Sequence, residues 1–211
     1  MRFLCDDGGV TTSDADTERQ RGRPKGLSDR VRRDVHEAVR DLLVSVGYGA
    51  LRLEGVAARA GVHKSTLYRQ WSSKAQLVSD VLGTGEAAHF PRPDEGSWEA
   101  DIDALCDALA RLFRNPTTVA FVKTRAIAND PELTAALEEH ALRDMRFVRL
   151  PVERAIARGE IDPDCDVDML VELIIAPFLT RVAVTGQPVD ESFSRSLART
   201  VRRIAMAGTA P

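Results

Sequence analysis

Residues 53–71, LEGVAARAGVHKSTLYRQW, set a single glycine between two short helical patterns whose apolar residues converge. Val56 and Ala57 mark the inward side of the first pattern, and Val62 and Leu67 that of the second. Ala57 and Ala60 are small enough to let two helices approach, and Gly61 can take the left-handed backbone of a tight turn. The spacing predicts a helix-turn-helix. It also decides what faces outward, because burying Val62 and Leu67 exposes Lys64, Ser65, Thr66, Tyr68, Arg69 and Gln70. Lys74 follows at the start of the next helix, and no carboxylate appears between Glu54 and Asp80.

The charge is distributed to match. The whole chain has a net charge of −3, yet residues 19–84 carry thirteen Lys and Arg against six Asp and Glu. A basic block on an otherwise acidic chain is the electrostatic footprint of a module that binds a polyanion. A helix that enters the major groove reads base edges with residues near its N-terminus while its neighbours fix the register on phosphates. Lys64, Ser65 and Thr66 occupy that first turn, Tyr68 offers a hydroxyl to the backbone, and Arg69 and Gln70 suit guanine and adenine edges. Lys74 reads as a phosphate contact. Ahead of this block, RQRGRPKG places Arg21 and Arg23 on an extended segment that resembles an AT-hook core and suits a narrow minor groove. Trp71 reads as a plug between the third and fourth helices, and Arg32 and Arg33 as solvated charges without a specific partner.

The 211 residues are 44% hydrophobic and 5% aromatic, with little period-2 patterning, so the expected fold class is all-α. Residues 1–26 read as a disordered arm with a basic end. Ser28 or Asp29 caps a first helix with apolar positions at Val31, Val35, Ala38, Val39, Leu42, Leu43 and Val46, ended by Gly47 and Gly49. Ser72 or Ser73 caps a fourth helix, and HFPRPDEGS then breaks the pattern. The domains are therefore expected at 27–84 (helix-turn-helix) and 85–211 (a larger helical unit). In the second unit Ser97, Asn115, Asp130 and Asp166 mark helix starts, Pro151 a kink, and Gly159 and Pro163 a stop.

Three cysteines are too few for a disulfide framework, no apolar run approaches the length of a membrane span, and the N-terminus lacks a signal peptide, so a cytoplasmic protein is expected. His36, His63, His89 and His140 show no metal spacing. Asp162, Asp164, Asp166 and Asp168 lack the central glycine and final glutamate of a calcium loop. No cofactor or metal is expected. Neither is an enzyme, because there is no phosphate loop, no nucleophile elbow and no tyrosine after Tyr68 for a recombinase.

The helix over 166–185 is apolar nearly all round, so two of its sides must be buried. The last helix puts Phe193, Leu197, Val201 and Ile204 on one face. Together with Leu170, Ile174, Phe178 and Val182 these are expected to form a four-helix bundle with their two-fold mates, which makes a homodimer.

The stretch GVAARAGVHKSTLYRQWSSKAQLV, 55 to 78, with its Thr-Leu-Tyr triplet, aromatic and Ser-Lys, resembles the tetracycline-repressor (TetR) family of transcriptional regulators. ARGEIDPDCDVDMLVELIIAPFLTRVAVTGQPVD resembles a C-terminal domain found in its actinobacterial members. The resemblance implies a DNA-binding regulator, a repressor of a palindromic double-stranded operator, released by a small-molecule inducer. An activator or a ligand-independent regulator is the alternative. It also implies that the helices over about 97–158 enclose a pocket, for which Trp98, Leu105, Phe113, Phe121, Met145 and Phe147 are the candidate lining. Arg125, His140 and Arg149 are candidate contacts to an anionic ligand, set against plain surface placement. Lys64, Ser65, Thr66, Tyr68, Arg69, Gln70 and Lys74 fall on the family's DNA-contact positions. The chain departs from the family at Arg52 and Leu53, which replace threonines, at His63, which replaces a capping serine, and at Glu54, where some members have a base-reading arginine.

Overall fold

A computed structural model describes residues 28–84, 90–127 and 129–207, and all regular structure among them is helical. The helices are α1 (Asp29–Ala50), α2 (Leu53–Arg59), α3 (Lys64–Gln70), α4 (Lys74–Gly83), α5 (Trp98–Arg114), α6 (Pro116–Ile127), α7 (Pro131–Ala157), α8 (Val167–Leu179) and α9 (Glu191–Ala207). A π-helical turn, Thr180–Thr185, extends α8 and stops at Gly186, whose φ is 66°. Arg21 and Arg23 lie outside the described residues.

The starts follow local chemistry. Ser28, Ser73, Ser97, Asp130 and Asp166 each accept a hydrogen bond from the backbone N–H three residues on, which satisfies a donor that the first helical turn leaves free. The ends are equally local. Gly159 closes α7 with φ 75°, where Glu160 N–H donates to the Ala155 carbonyl and Gly159 N–H to that of Ile156. α1 runs past the expected glycine stop: Gly47 breaks its helical geometry with φ 75°, but the chain turns again through Ala50.

Two hydrophobic clusters form the interior. One holds the inward faces of α1–α4, including Val35, Val39, Leu43, Val56, Leu67, Trp71 and Leu77. Phe121 of α6 and Leu133 and Leu137 of α7 belong to the same cluster, so the packing does not divide where the sequence pattern breaks. The other joins α5, α7, α8 and α9 through Ile102, Leu105, Val152, Ile174, Phe178 and Val201.

This second cluster corrects the expected dimer face. Leu170, Ile174, Phe178, Val182, Leu197 and Val201 are buried within the single chain. Phe178 stacks on Phe113 with centroids 5.2 Å apart and meets the half-buried Phe193 edge-on at 5.1 Å, so these rings form an aromatic column inside the unit. Of the eight residues expected to meet a partner, Ile204 alone is exposed. The outward side of α8 and its extension carries Met169, Leu173 and Val184 instead.

Candidate functional site

α2 and α3 are joined by the turn that the sequence requires. Gly61 has φ 65°, Gly61 N–H donates to the Ala58 carbonyl and Val62 N–H to that of Ala57. This pair of reversed bonds closes α2 and aims the chain into α3. Leu67 is fully buried and Ala57 nearly so, which fixes the roll of α3. Lys64, Ser65, Tyr68, Arg69 and Gln70 are exposed, and Thr66 is half-buried beside Leu67. The acid-free face predicted from the sequence is therefore a solvent face.

Glu54 touches that face. Tyr68 Oη donates to Glu54 Oε1 at 2.9 Å, a bond that raises the phenol's pKa and, after the hydrogen bond within its own backbone, lowers that of the glutamate. His63 stands at the N-cap of α3 without a side-chain cap bond, and Arg52 does the same for α2. Arg52 spends its guanidinium on the carbonyls of Gly49 and Leu51.

Lys74, expected as a phosphate contact, has a partner within the chain. It is half-buried, its Nζ donates to the Tyr48 carbonyl at 2.9 Å and lies 3.9 Å from the centroid of the Tyr48 ring. Burial, with the nearby charge of Arg52, lowers its pKa. It braces the end of α1 against the start of α4, because a lysine on the first turn of α4 points back over the tyrosine that closes α1. Tyr48 itself donates to Asp130 Oδ2 at 2.6 Å, and Ser73 Oγ to Glu132 Oε1 at 2.6 Å. Two bonds thus tie the N-terminal helices to the start of α7.

A polar network that the sequence reading missed runs behind α3. Trp71, buried as expected, ends α3 and donates its indole N–H to Asp80 Oδ2 at 3.0 Å. Arg32 binds both oxygens of Asp80 at 3.0 and 3.1 Å, so it is not the partnerless charge expected of it. His36, 5% exposed, places Nε2 3.1 Å from Asp80 Oδ2 and Nδ1 2.9 Å from Thr84 Oγ1. Burial works against ionisation of Asp80, yet the hydrogen bonds from Arg32, His36 and Trp71 outweigh it and hold the carboxyl below its usual range. Burial lowers the pKa of His36, and the hydrogen bond with Asp80 offsets this only in part. The signal was a histidine on the apolar face of α1, between Val35 and Val39, with an acid and a hydroxyl at i,i+4 on α4.

Thr84 also lines a cavity of about 880 Å³. Phe113, Phe121, Met145 and Phe147 line it as expected, with Leu82, Leu112 and Ile175. Trp98 and Leu105 do not: both are buried core residues of α5, and the Trp98 indole N–H has no partner among the described residues. Arg125 lines the cavity, together with Arg40 and Arg111. Arg149 is turned away, bonded to Glu153 and Asp168. The side chain of His140 lies outside the described residues.

Comparison with known proteins gives a consistent result. The sequence profile of bacterial regulatory proteins, tetR family, matches residues 36–81, and that of a tetracyclin repressor-like C-terminal domain matches 92–201. The HTH-type transcriptional regulator YdeS of Bacillus subtilis is 30% identical, covering 84% of this chain and 90% of its own. A DNA-binding transcriptional repressor TetR of Mycobacteroides abscessus is 31% identical over 72% of this chain and 81% of its own. The crystal structure of the TetR family transcription regulator SCO0332 superposes with a TM-score of 0.66 at 29% identity, covering 83% and 98%. No helix among the described residues is long and apolar enough to cross a membrane.

Proposed function

Because the chain belongs to the tetracycline-repressor (TetR) family of bacterial transcriptional regulators, we propose that it is a dimeric, cytoplasmic repressor released from a palindromic operator by a small molecule. The observation that carries this reading is the outward face of α3: five exposed polar or basic side chains, with the helix rolled into place by a fully buried Leu67. Residues 27–84 then read the DNA, and residues 85–211 dimerise and hold the ligand.

In this reading Lys64, Ser65 and Thr66 meet the backbone and the first base edges, and Tyr68, Arg69 and Gln70 follow in the groove. Arg21 and Arg23 add minor-groove contacts. Glu54 holds the Tyr68 hydroxyl and keeps a negative charge at the edge of the interface, which penalises loose phosphate contacts and favours a fitted site. The dimer forms through the exposed strip Met169–Leu173–Val184 with Ile204, which gives two reading heads the half-site spacing of about one helical turn, 34–36 Å.

The cavity supplies the release. Its walls include Arg40 of α1 and Val81, Leu82 and Thr84 at the end of α4, so an occupant touches the helices that carry α3. Thr84 is also the outer member of the His36–Asp80–Trp71 network. An occupant that favours one arrangement of these helices shifts DNA affinity by a coupling of typically 1–3 kcal/mol. The relative from Mycobacteroides abscessus, named a repressor, supports the direction of control.

The test is an equilibrium titration of the purified protein against the DNA upstream of its own gene, beside a scrambled duplex, at two salt concentrations. Tight binding to the native duplex alone, weakening with salt, is the expected result. Equal binding to both duplexes at low salt, with the Lys64→Ala variant unchanged, sinks the assigned interface.

A further inference from the structure

One carboxylate shares the solvent face of α3, and its choice of partner is unusual. Asp34, Asp41 and Asp80 of α1 and α4 each pair with an arginine. Glu54, near the start of α2, forms no ion pair among the described residues and takes a phenol instead, accepting the Tyr68 hydroxyl at 2.9 Å. Tyr68 is 50% exposed, so the bond lies at the surface and bridges the two helices of the motif. Lys64 and Tyr68 stand one turn apart on α3, hence on the same side of it. Glu54 meets both, Tyr68 by hydrogen bond and Lys64 by charge.

The protons at this pair can be counted. A phenol has one, and Glu54 takes it. Phosphate oxygens only accept, so Tyr68 cannot donate to the DNA backbone while it holds Glu54. The carboxylate is also an acceptor only, with about four lone-pair positions of which Tyr68 uses one. That restricts what it can meet in a major groove. Guanine and thymine present acceptor oxygens there, which an anion repels. Adenine presents its N6 amino group beside the N7 acceptor. Cytosine presents the N4 amino group with no acceptor on the same edge. A carboxylate among phosphates also meets repulsion, and Lys64 and Arg52 offset part of it. Arg52 is held in place for this by the carbonyls of Gly49 and Leu51, at 2.8 and 3.1 Å.

We infer that Glu54 is a base-reading residue that accepts from the N4 amino group of one cytosine in each operator half-site, with Tyr68 the positioning residue that fixes its carboxylate. The inference rests on the reading of α3 as the helix that enters the major groove. Tyr68 then works through Glu54 rather than through phosphate, and α2 contributes to sequence recognition beside α3. The negative charge makes the choice one-sided. A C·G pair turned round brings guanine O6 and N7 to the carboxylate, so the direction of the pair is read as well as its composition.

The experiment selects duplexes bound by the full chain from a pool with a randomised core, and sequences what wild type, E54A, E54Q and Y68F retain. The wild-type motif is expected to be a palindrome in which one cytosine per half-site is preferred roughly tenfold over the other bases, a preference that E54A loses. E54Q is expected to move the same position towards adenine, because an amide supplies the donor and acceptor that the adenine edge matches. Y68F keeps the ring and removes the proton, so its preference for cytosine is expected to fall between those of wild type and E54A. Loss of fold or of general affinity lowers retention of every duplex alike, whereas a change of base at one position reports reading. An E54A motif identical to that of wild type, or a Glu54-dependent position that is not cytosine, overturns the inference and leaves the α3 interface standing. A Y68F motif as sharp as that of wild type overturns the positioning role of Tyr68. A wild-type pool without any enriched motif sinks the interface and the inference together.

Discussion

Gly61 shows how much a single backbone conformation carries. With φ 65° and no atom within 4 Å of where a Cβ would sit, replacement by alanine meets no collision, only the left-handed strain itself. Gly61→Ala is expected to cost about 1–2 kcal/mol in chemical denaturation, and to weaken operator binding further because the turn sets the angle of α3. The two lysines of the interface behave differently for an equally local reason. Lys64 is exposed and unbraced, so Lys64→Ala should leave the melting temperature unchanged, weaken every duplex, and lower the salt slope by about one. Lys74 is held by the Tyr48 carbonyl and ring, so Lys74→Ala should lose roughly 1 kcal/mol of stability in the same denaturation assay. A Lys74 variant with wild-type stability and weakened DNA binding would restore it as a phosphate contact.

At the scale of elements, the joint between α1, α3 and α4 is polar where a simple helical bundle would be apolar. His36 is buried between Asp80 and Thr84, with the charges of Arg32 and Arg40 also opposing its protonation. Its pKa in the folded chain lies below the ordinary value of 6.5. As pH falls below that value the unfolded chain takes up a proton that the folded one still refuses, so stability is present above pH 6.5 and is lost below it. Thermal unfolding of wild type and His36→Gln, followed as pH is lowered from neutral, should show a smaller loss for the variant. Parallel curves would assign the acid sensitivity elsewhere. Asp80 acts in the same direction but only within the carboxylate range, so the two windows separate.

For the molecule as a whole, the cavity lies between what the sequence suggested were separate domains. α6 and α7 give Phe121, Leu133 and Leu137 to the core of α1–α4, and Phe121 also lines the cavity. The cavity wall and the core of α1–α4 therefore share packing, which in the proposed function is the link between an occupant and DNA reading. The proposed dimer belongs to this scale too. Leu173 is 38% exposed in the single chain, midway along the outer strip of α8. Leu173→Glu is expected to shift the protein to a monomer in sedimentation, with its helical content intact and its affinity for a palindrome lost. A dimer that persists would place the interface on another face.

The sequence by itself determined the helices, their caps, the turn at Gly61 and the acid-free face of α3. These depend on neighbours within a few residues, where spacing and side-chain chemistry act directly. The tertiary structure decided which side of an all-round apolar helix is interior. On α8 both sides read alike, and only the column of Phe113, Phe178 and Phe193 separates the buried set from Met169 and Leu173. It also decided the partners of charges far apart in the chain: Arg32 finds Asp80 48 residues away. No local rule carries that information, because a long side chain reaches whatever the packing of distant helices brings to it.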